Sequence, residues 1–303
     1  MEEKNSHIVT IIIPNFNRGD LIAATINSIR SQTYQDWELI IVDDGSNDNS
    51  VEVINAFLKD DRIKLFKRPD YRLPGGNAAR NYGLEKAKGK YVKWLDSDDL
   101  LAPHALERQL EIINQGNYDV VFSRSRFFSH INKDGIITWD KFWSKSYPLI
   151  KPLENFIFGK IRFSTADGLW KREFLGPLPF KEDLRNSQEW LMLITQLSKK
   201  PKNFIDEEVL IYIRLHENQM HSSKDINFYY KHQLLARAYA INVLIDHRML
   251  NFNNFWYLYK NMVWNFLVAI KQFKFRFFFK NIKRLLATFF KSTQYFIMNK
   301  KFY

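Results

Sequence analysis

Four residues, Asp96-Ser97-Asp98-Asp99, follow directly on the apolar run Tyr91-Val92-Lys93-Trp94-Leu95. Two carboxylates one residue apart at a strand end can present their oxygens to one point. Hard divalent cations such as Mn2+ or Mg2+ take oxygen ligands and combine one or two carboxylates with substrate phosphates. A cation held there would neutralise the charge of a departing diphosphate. An isolated D-x-D turn is more often a solvated turn with a helix-capping Asp, so the surrounding chain has to decide. A second acidic turn, Asp43-Asp44-Gly45-Ser46, closes another apolar run, Trp37-Glu38-Leu39-Ile40-Ile41-Val42.

The elements that would position these turns alternate strand and helix. The β-branched run from Ile8 to Ile13 has the pattern of a strand buried on both faces of a parallel sheet. Ile22, Ile26, Ile29 and Thr33 share a helical face, and Val51, Ile54 and Leu58 share another behind an N-cap among Asp48, Asn49 and Ser50. Arg62 to Phe66 reads as a third strand, Asn77 to Ala87 as a third helix and Tyr91 to Leu95 as a fourth strand. Further on, the pattern predicts a short strand over Asp119–Phe122, an irregular Trp- and Phe-rich stretch to Pro179, a helix from Ser187 to Leu197 and a last strand over Val209–Ile213. This is a doubly wound, mostly parallel α/β layout, whose ligands bind beyond the carboxyl ends of the strands.

Two nucleotide-binding signatures are missing. Pro14-Asn15-Phe16-Asn17-Arg18-Gly19 stands where a dinucleotide fingerprint would follow the first strand, and no G-x-x-x-x-G-K-[ST] loop exists. Instead the chain resembles the family-2 glycosyltransferases of GT-A fold. The resemblance rests on ordered blocks: Thr10 to Asn17, Ser31-Gln32-Thr33, Trp37 to Ser46, Ala79-Arg80-Asn81-Tyr82-Gly83 and Leu95 to Asp99. It is close from Val9 to about Leu101 and looser to about residue 216.

The resemblance implies an inverting enzyme that moves a sugar from a nucleotide-sugar donor, with Mn2+ or Mg2+ as cofactor. Pro14 and Phe16 would line the nucleobase pocket, with Arg18 near the phosphates. Asp44, with Asp43 beside it, would accept a hydrogen bond from the ring N–H of the base, which suits uracil. Asn77 and Arg80 would sit near the pyrophosphate, although Arg80 could equally snorkel over its own helix. Asp96 would face the ribose and the metal, and Asp98 would bind the metal directly. Inverting transfer needs a carboxylate to take the acceptor's proton. Relatives usually carry Glu-Asp before a Trp at a helix start; here Gln188-Glu189-Trp190 puts Glu189 at that place, one methylene longer. His216, after the last strand, would be a further metal ligand, and Trp139, Trp143 and Trp170 are candidates for sugar stacking or for core packing.

Charge divides the chain. Residues 251–303 hold ten Lys/Arg and no Asp or Glu, out of a net charge of +12, together with 18 of the 48 aromatic residues. Over 273–293, Phe275, Phe278, Phe279, Ile282, Leu285, Leu286 and Phe289 fall on one helical face, with Arg276, Lys280, Lys283, Arg284 and Lys291 mainly opposite. Basic amphipathic helices of this kind lie in membrane interfaces; packing on the rest of the chain is the alternative. Phe at core spacing offers no stacking faces to bases, so no nucleic acid is expected. The absence of cysteine removes disulfides and thiol chemistry. The polar start and the lack of a long apolar run fit a cytoplasmic protein, peripheral at the inner face of the membrane. We therefore expect a catalytic domain over 1–225, with a nucleotide-binding half (1–100) and an acceptor half (101–225), followed by a basic helical tail over 226–303. The expected acceptor is a surface glycan or a lipid-linked glycan. A polyprenol-phosphate sugar synthase, whose lipid phosphate needs no base, is the nearest rival. A non-catalytic sugar-nucleotide or glycan binder is the rival from another class.

Overall fold

The computed structural model describes residues 9–131, 137–142, 151–215, 226–272 and 276–299. Strands β1 (Val9–Asn15) and β2 (Trp37–Asp43) are parallel neighbours, with Val9 opposite Trp37 and Asn15 opposite Asp43. Every residue of β2 is buried, as a strand covered on both faces requires. β3 (Ile63–Lys67) extends the sheet beyond β2, and β4 (Tyr91–Trp94) lies on the other side of β1, all four parallel.

Three helices join these strands: α1 (Ile22–Arg30), α2 (Ser50–Asn55) and α3 (Gly76–Lys86). Ile22, Ile26 and Ile29 are fully buried, as their spacing predicts. Thr33 lies past the end of α1, its amide donating to the Pro103 carbonyl at 2.8 Å. α2 is shorter than its pattern suggests, so Leu58 falls beyond it and is exposed. α3 packs tightly on β1, because a Cβ on Gly83 would lie 2.4 Å from Ile12 Cγ2.

Beyond β4 the sheet becomes mixed. It gains β5 (Leu100–Leu101), β6 (Val120–Ile131), β7 (Ile137–Phe142), β8 (Gly168–Lys171) and β9 (Asn203–Arg214), with α4 (Ala105–Gln115) and the short α6 (Arg172–Leu175) between them. The order is β3-β2-β1-β4-β8-β6-β9-β5, with β7 on β6. β8 runs antiparallel to β4 and β6, whereas β6 and β9 are parallel. β6 and β9 are 12 residues each, far longer than the short strands read from the pattern. Part of the reason is that Ser123 and Ser125 of β6 are buried, which breaks its apolar signature. Trp170, a candidate for sugar stacking, is fully buried on β8, its ring edge-on to Phe122 at 5.5 Å. Trp143 lies outside the described residues.

The chain divides into two compact units. One holds residues 1–150, 161–183 and 201–217, with strands β1 to β9; the other holds 151–160, 184–200 and 218–303. Two upstream helices, α5 (Pro152–Ile157) and α7 (Gln188–Ser198), group with α8 (Ile226–Asp246), α9 (Phe252–Gln272) and α10 (Arg276–Asn299).

Behind the acidic turn, the sheet encloses a polar knot. The fully buried Lys93 of β4 donates to Gln109 Oε1 at 2.8 Å and to the Ala166 carbonyl at 2.7 Å. Burial lowers the Lys93 ammonium from 10.5 to about 7, against the pull of Asp167. Burial likewise raises Asp167 from 3.8 to about 6, although the Ser164 amide donates to it at 2.7 Å. Between about pH 7 and 10.5 the unfolded chain binds a proton at Lys93 that the folded chain does not. The charge penalty is thus complete below pH 7 and is relieved as pH rises. We expect wild type to gain thermal stability relative to Lys93→Met between pH 7 and pH 9. Parallel melting curves across that range would show that Lys93 does not titrate inside the fold.

Candidate active site

The carboxyl ends of β1, β2 and β4 and the start of α3 bring most of the expected site residues together. The backbone after β4 is held by the Leu95 amide on the Ile12 carbonyl (3.0 Å), and the turn closes through the Asp99 amide on the Asp96 carbonyl (3.1 Å). Thr25 of α1 donates to the Ser97 carbonyl at 3.1 Å. One carboxylate oxygen each from Asp96, Asp98 and Asp99 lies within 4.8 Å of the others. Sequence spacing picked out Asp96 and Asp98; Asp99 completes the group.

Three arginines from distant parts of the chain meet this turn. Arg80 of α3, almost fully buried, donates from Nη2 to Asp96 Oδ1 at 2.6 Å. Its guanidinium lies over the Phe180 ring at 5.4 Å, so it points into the site rather than along the helix surface. Arg18 Nε donates to Asp98 Oδ2 at 3.1 Å. Arg214, at the end of β9, donates its amide to Asp99 Oδ1 (3.0 Å) and its Nε to the Asp98 carbonyl (2.9 Å). Burial lowers its pKa, while Asp98 and Asp99 pull it up. In the sequence, Arg214 carries no signal beyond being an arginine that closes an apolar strand.

The loop after β1 is locked to the loop after β2. Asn17 takes a left-handed φ of 51°, and its Oδ1 accepts from the Asn47 amide at 2.9 Å. The Arg18 amide donates to Ser50 Oγ (2.7 Å) and the Gly19 amide to Asp48 Oδ2 (2.9 Å). Phe16 on this loop is 50% exposed and Pro14 half-buried, so both offer apolar surface to a ring. Asp43 is buried: Oδ1 accepts from Asn15 Nδ2 at 2.9 Å and Ser46 Oγ at 2.5 Å, and Oδ2 accepts from the Gly45 and Ser46 amides. Its carboxylate therefore braces the turn, and Asp44 is the freer of the pair. Asp44 is ion-paired with Arg68, whose Nη1 also donates to the Pro69 carbonyl at 2.9 Å. Arg68 carried no sequence signal, because it meets Asp44 only once β3 is paired.

Asn77 is buried and donates to the Lys181 carbonyl at 2.7 Å, and Asn81 donates to the Phe180 carbonyl at 2.9 Å. The amide of Asn77 thus pins the 180–182 segment against α3. His216 lies outside the described residues.

Glu189 belongs to the helical unit, in the first turn of α7. Ser187 before it has a left-handed φ of 57°. The Trp190 ring carries the Arg237 guanidinium of α8 at 4.8 Å, and Gln233 of α8 donates to Asn186 Oδ1 at 2.9 Å. Arg237 is nearly enclosed, and burial lowers its pKa to about 10. This start of α7 is accordingly held from the side by α8.

The parallel strands with acidic turns at their ends, continued by a mixed half-sheet, define a glycosyltransferase fold of the GT-A class. The chain belongs to glycosyl transferase family 2, whose pattern it matches over residues 10–174. It is 31% identical over 206 residues to the GalNAc(5)-diNAcBac-PP-undecaprenol beta-1,3-glucosyltransferase of Campylobacter jejuni, covering 67% of this chain and 64% of that one. An uncharacterised glycosyltransferase of Rickettsia bellii is 28% identical over 269 residues, which is 86% of this chain but 37% of the relative. The chain thus spans well under two thirds of the length of several relatives that it matches. Among solved structures, Staphylococcus aureus TarS 1–349 in complex with UDP-GlcNAc superposes with a TM-score of 0.63 at 16% identity, over 85% of this chain and 80% of that one. Fold and family expectations are both borne out.

The donor set of the acidic turn fits a hard divalent cation, and Arg18, bonded to Asp98, would compete with such a cation for that carboxylate. A partly exposed pair of this kind is worth up to about 1 kcal/mol, or roughly fivefold in affinity. Arg18→Ala should therefore bind Mn2+ several-fold more tightly in the absence of nucleotide, as read by calorimetry or Mn2+ resonance. Unchanged or weaker binding would mean that Arg18 and the cation do not share Asp98.

Proposed function

We propose that the chain is an inverting glycosyltransferase that moves a sugar from a UDP-sugar to a hydroxyl of a lipid-linked or cell-surface glycan, with Mn2+ or Mg2+ as cofactor. The observation that carries this reading is the three-carboxylate turn at the end of β4, faced by Arg18 and Arg80. A divalent cation bound by Asp96 and Asp98 would offset the charge of the departing diphosphate. The undecaprenol-linked acceptor named for the C. jejuni relative supports the acceptor class, and the UDP-GlcNAc bound to TarS supports the nucleotide.

In this reading Phe16 and Pro14 flank the nucleobase, and Asp44, held on one side by Arg68, accepts the ring N–H of uracil. Arg80 shares Asp96 with the ribose side of the donor, and its guanidinium approaches the diphosphate. Arg18 exchanges its bond to Asp98 for a phosphate oxygen. Glu189 takes the proton of the acceptor hydroxyl as its oxygen bonds to the sugar carbon and the carbon–oxygen bond to the diphosphate breaks. His216 is proposed as an additional ligand. Residues 273–293 are proposed to contact an anionic membrane surface, so that the protein works at the cytoplasmic face where lipid-linked acceptors are built. No helix among the described residues is long and apolar enough to cross a membrane.

Asp98→Asn is expected to abolish transfer and metal-dependent UDP binding with melting temperature preserved, because a neutral amide cannot offset the cation's charge. Full turnover of the variant at saturating Mn2+ would remove Asp98 from the mechanism. Glu189→Gln is expected to keep donor affinity and lose about 10²–10⁴ in transfer rate, the usual cost of removing a general base. A variant within twofold of wild type would point to an acceptor that is already ionised, such as a lipid phosphate.

A further inference from the structure

α9 carries two apolar rows, one buried and one exposed. Its inner row, Phe255, Leu258, Met262 and Phe266, is buried at the spacing of one helical face. Its outer row, Phe252, Trp256, Trp264 and Leu267, is between 54% and 68% exposed, with the exposed Lys260 midway between the two indoles. Trp256, Lys260 and Trp264 follow at i, i+4 and i+8, so they form one stripe, which from Phe252 to Leu267 runs about 22 Å at helical rise. Trp256, Tyr259, Lys260, Trp264 and Leu267 border a surface concavity of about 460 Å³. Four large apolar side chains left open on one helix are more than scattered surface residues would supply.

We propose that this outer stripe of α9 is a membrane-interface anchor, seated at headgroup depth on an anionic lipid surface, with the two indoles at the apolar boundary and Lys260 on a lipid phosphate. Charge selects the occupant. Residues 251–303 carry ten Lys/Arg and no acidic residue, so an anionic surface is complementary, and a second copy of the chain would bring the same charge to the same face. Tryptophan suits a boundary that is apolar on one side and wet on the other. α10 presents further apolar surface in the same unit, at Leu286, Phe290 and Ile297, while Asn281, Leu285, Thr288 and Ser292 turn inward. The inference extends the membrane contact proposed above for residues 273–293, and rests on it in taking the C-terminal helices as lipid-facing.

The test compares the full chain with two double variants, Trp256→Ser/Trp264→Ser on α9 and Leu286→Ser/Phe290→Ser on α10. Binding is measured by co-sedimentation with vesicles of phosphatidylglycerol and phosphatidylcholine and with vesicles of phosphatidylcholine alone. Melting temperature and UDP affinity serve as checks on folding. We expect wild type to prefer the anionic vesicles, and the α9 variant to bind them about tenfold or more weakly with both checks unchanged, because two buried indoles are lost. Loss of binding in the α10 variant alone would overturn the α9 anchor while leaving contact through 273–293 standing. A wild-type chain that ignores anionic vesicles would overturn both. A dimer of the chain in solution that the α9 variant alone dissociates would identify a second copy as the occupant and overturn the lipid assignment.

Discussion

Three carboxylates meeting within 4.8 Å at the end of one strand form an arrangement that repels itself. Much of the sheet-bearing unit can be read as the answer to that repulsion. Arg18 comes from the loop after β1, Arg80 from the second turn of α3 and Arg214 from the far end of β9. Each must be delivered by a different element, so the turn depends on β1 and β4 being neighbours, on α3 lying close to β1 and on β9 returning beside β5. The tight seat of Gly83 on Ile12 sets the height of α3 and hence the reach of Arg80. With three guanidinium groups beside three carboxylates the turn is nearly neutral, so it does not need a cation to hold together.

The first hundred residues were legible because each strand there is covered on both faces and ends in a marked turn. Continuous runs such as Thr10–Ile13 and Leu39–Val42 have no competing reading, and helices with apolar residues at i, i+4 and i+7 fit between them. The second half-sheet hid itself. β6 buries Ser123 against Gln109 and the Asp167 carbonyl, and Ser125 as well, which ruins the alternation by which an antiparallel strand is recognised. β5 is two residues long, and β8 is four residues whose identity as a strand depends on pairing with β4 and β6.

For the site, the carboxylates could be read from the sequence, and Arg18 and Arg80 through the resemblance, but Arg68, Arg214 and Arg237 could not. A D-x-D turn is local, so its residues announce themselves within four positions. Arg68, Arg214 and Arg237 act on groups 24, 115 and about 50 positions away, and a lone arginine in a sequence says nothing about what it faces. The same limit applies to Asn77 and Asp43. Asn77 donates to a carbonyl of a segment about a hundred residues downstream, which no local pattern announces. Asp43 stands in the acidic turn, and of its four accepted bonds three come from that turn and one from Asn15 of β1.

The helical unit shows a different limit, one of sign rather than of distance. Hydrophobic spacing says that α10 has an apolar side, but not which side the fold uses. Thr288 and Ser292 can be buried because hydroxyls on a helix are satisfied locally, as when Ser292 donates to the Thr288 carbonyl at 2.8 Å. Small side chains there let α10 pack on α8 and α9, and the larger Leu286, Phe290 and Ile297 are left outward. On α9 the inner row alone would suffice for packing, so the outer row is surplus to the fold. A helix apolar on two sides belongs either in a core or against an apolar medium. Since α9 sits with one side in water, its second apolar row costs solubility and returns no stability to the unit. Such a row makes physical sense where the solvent on that side is something other than water.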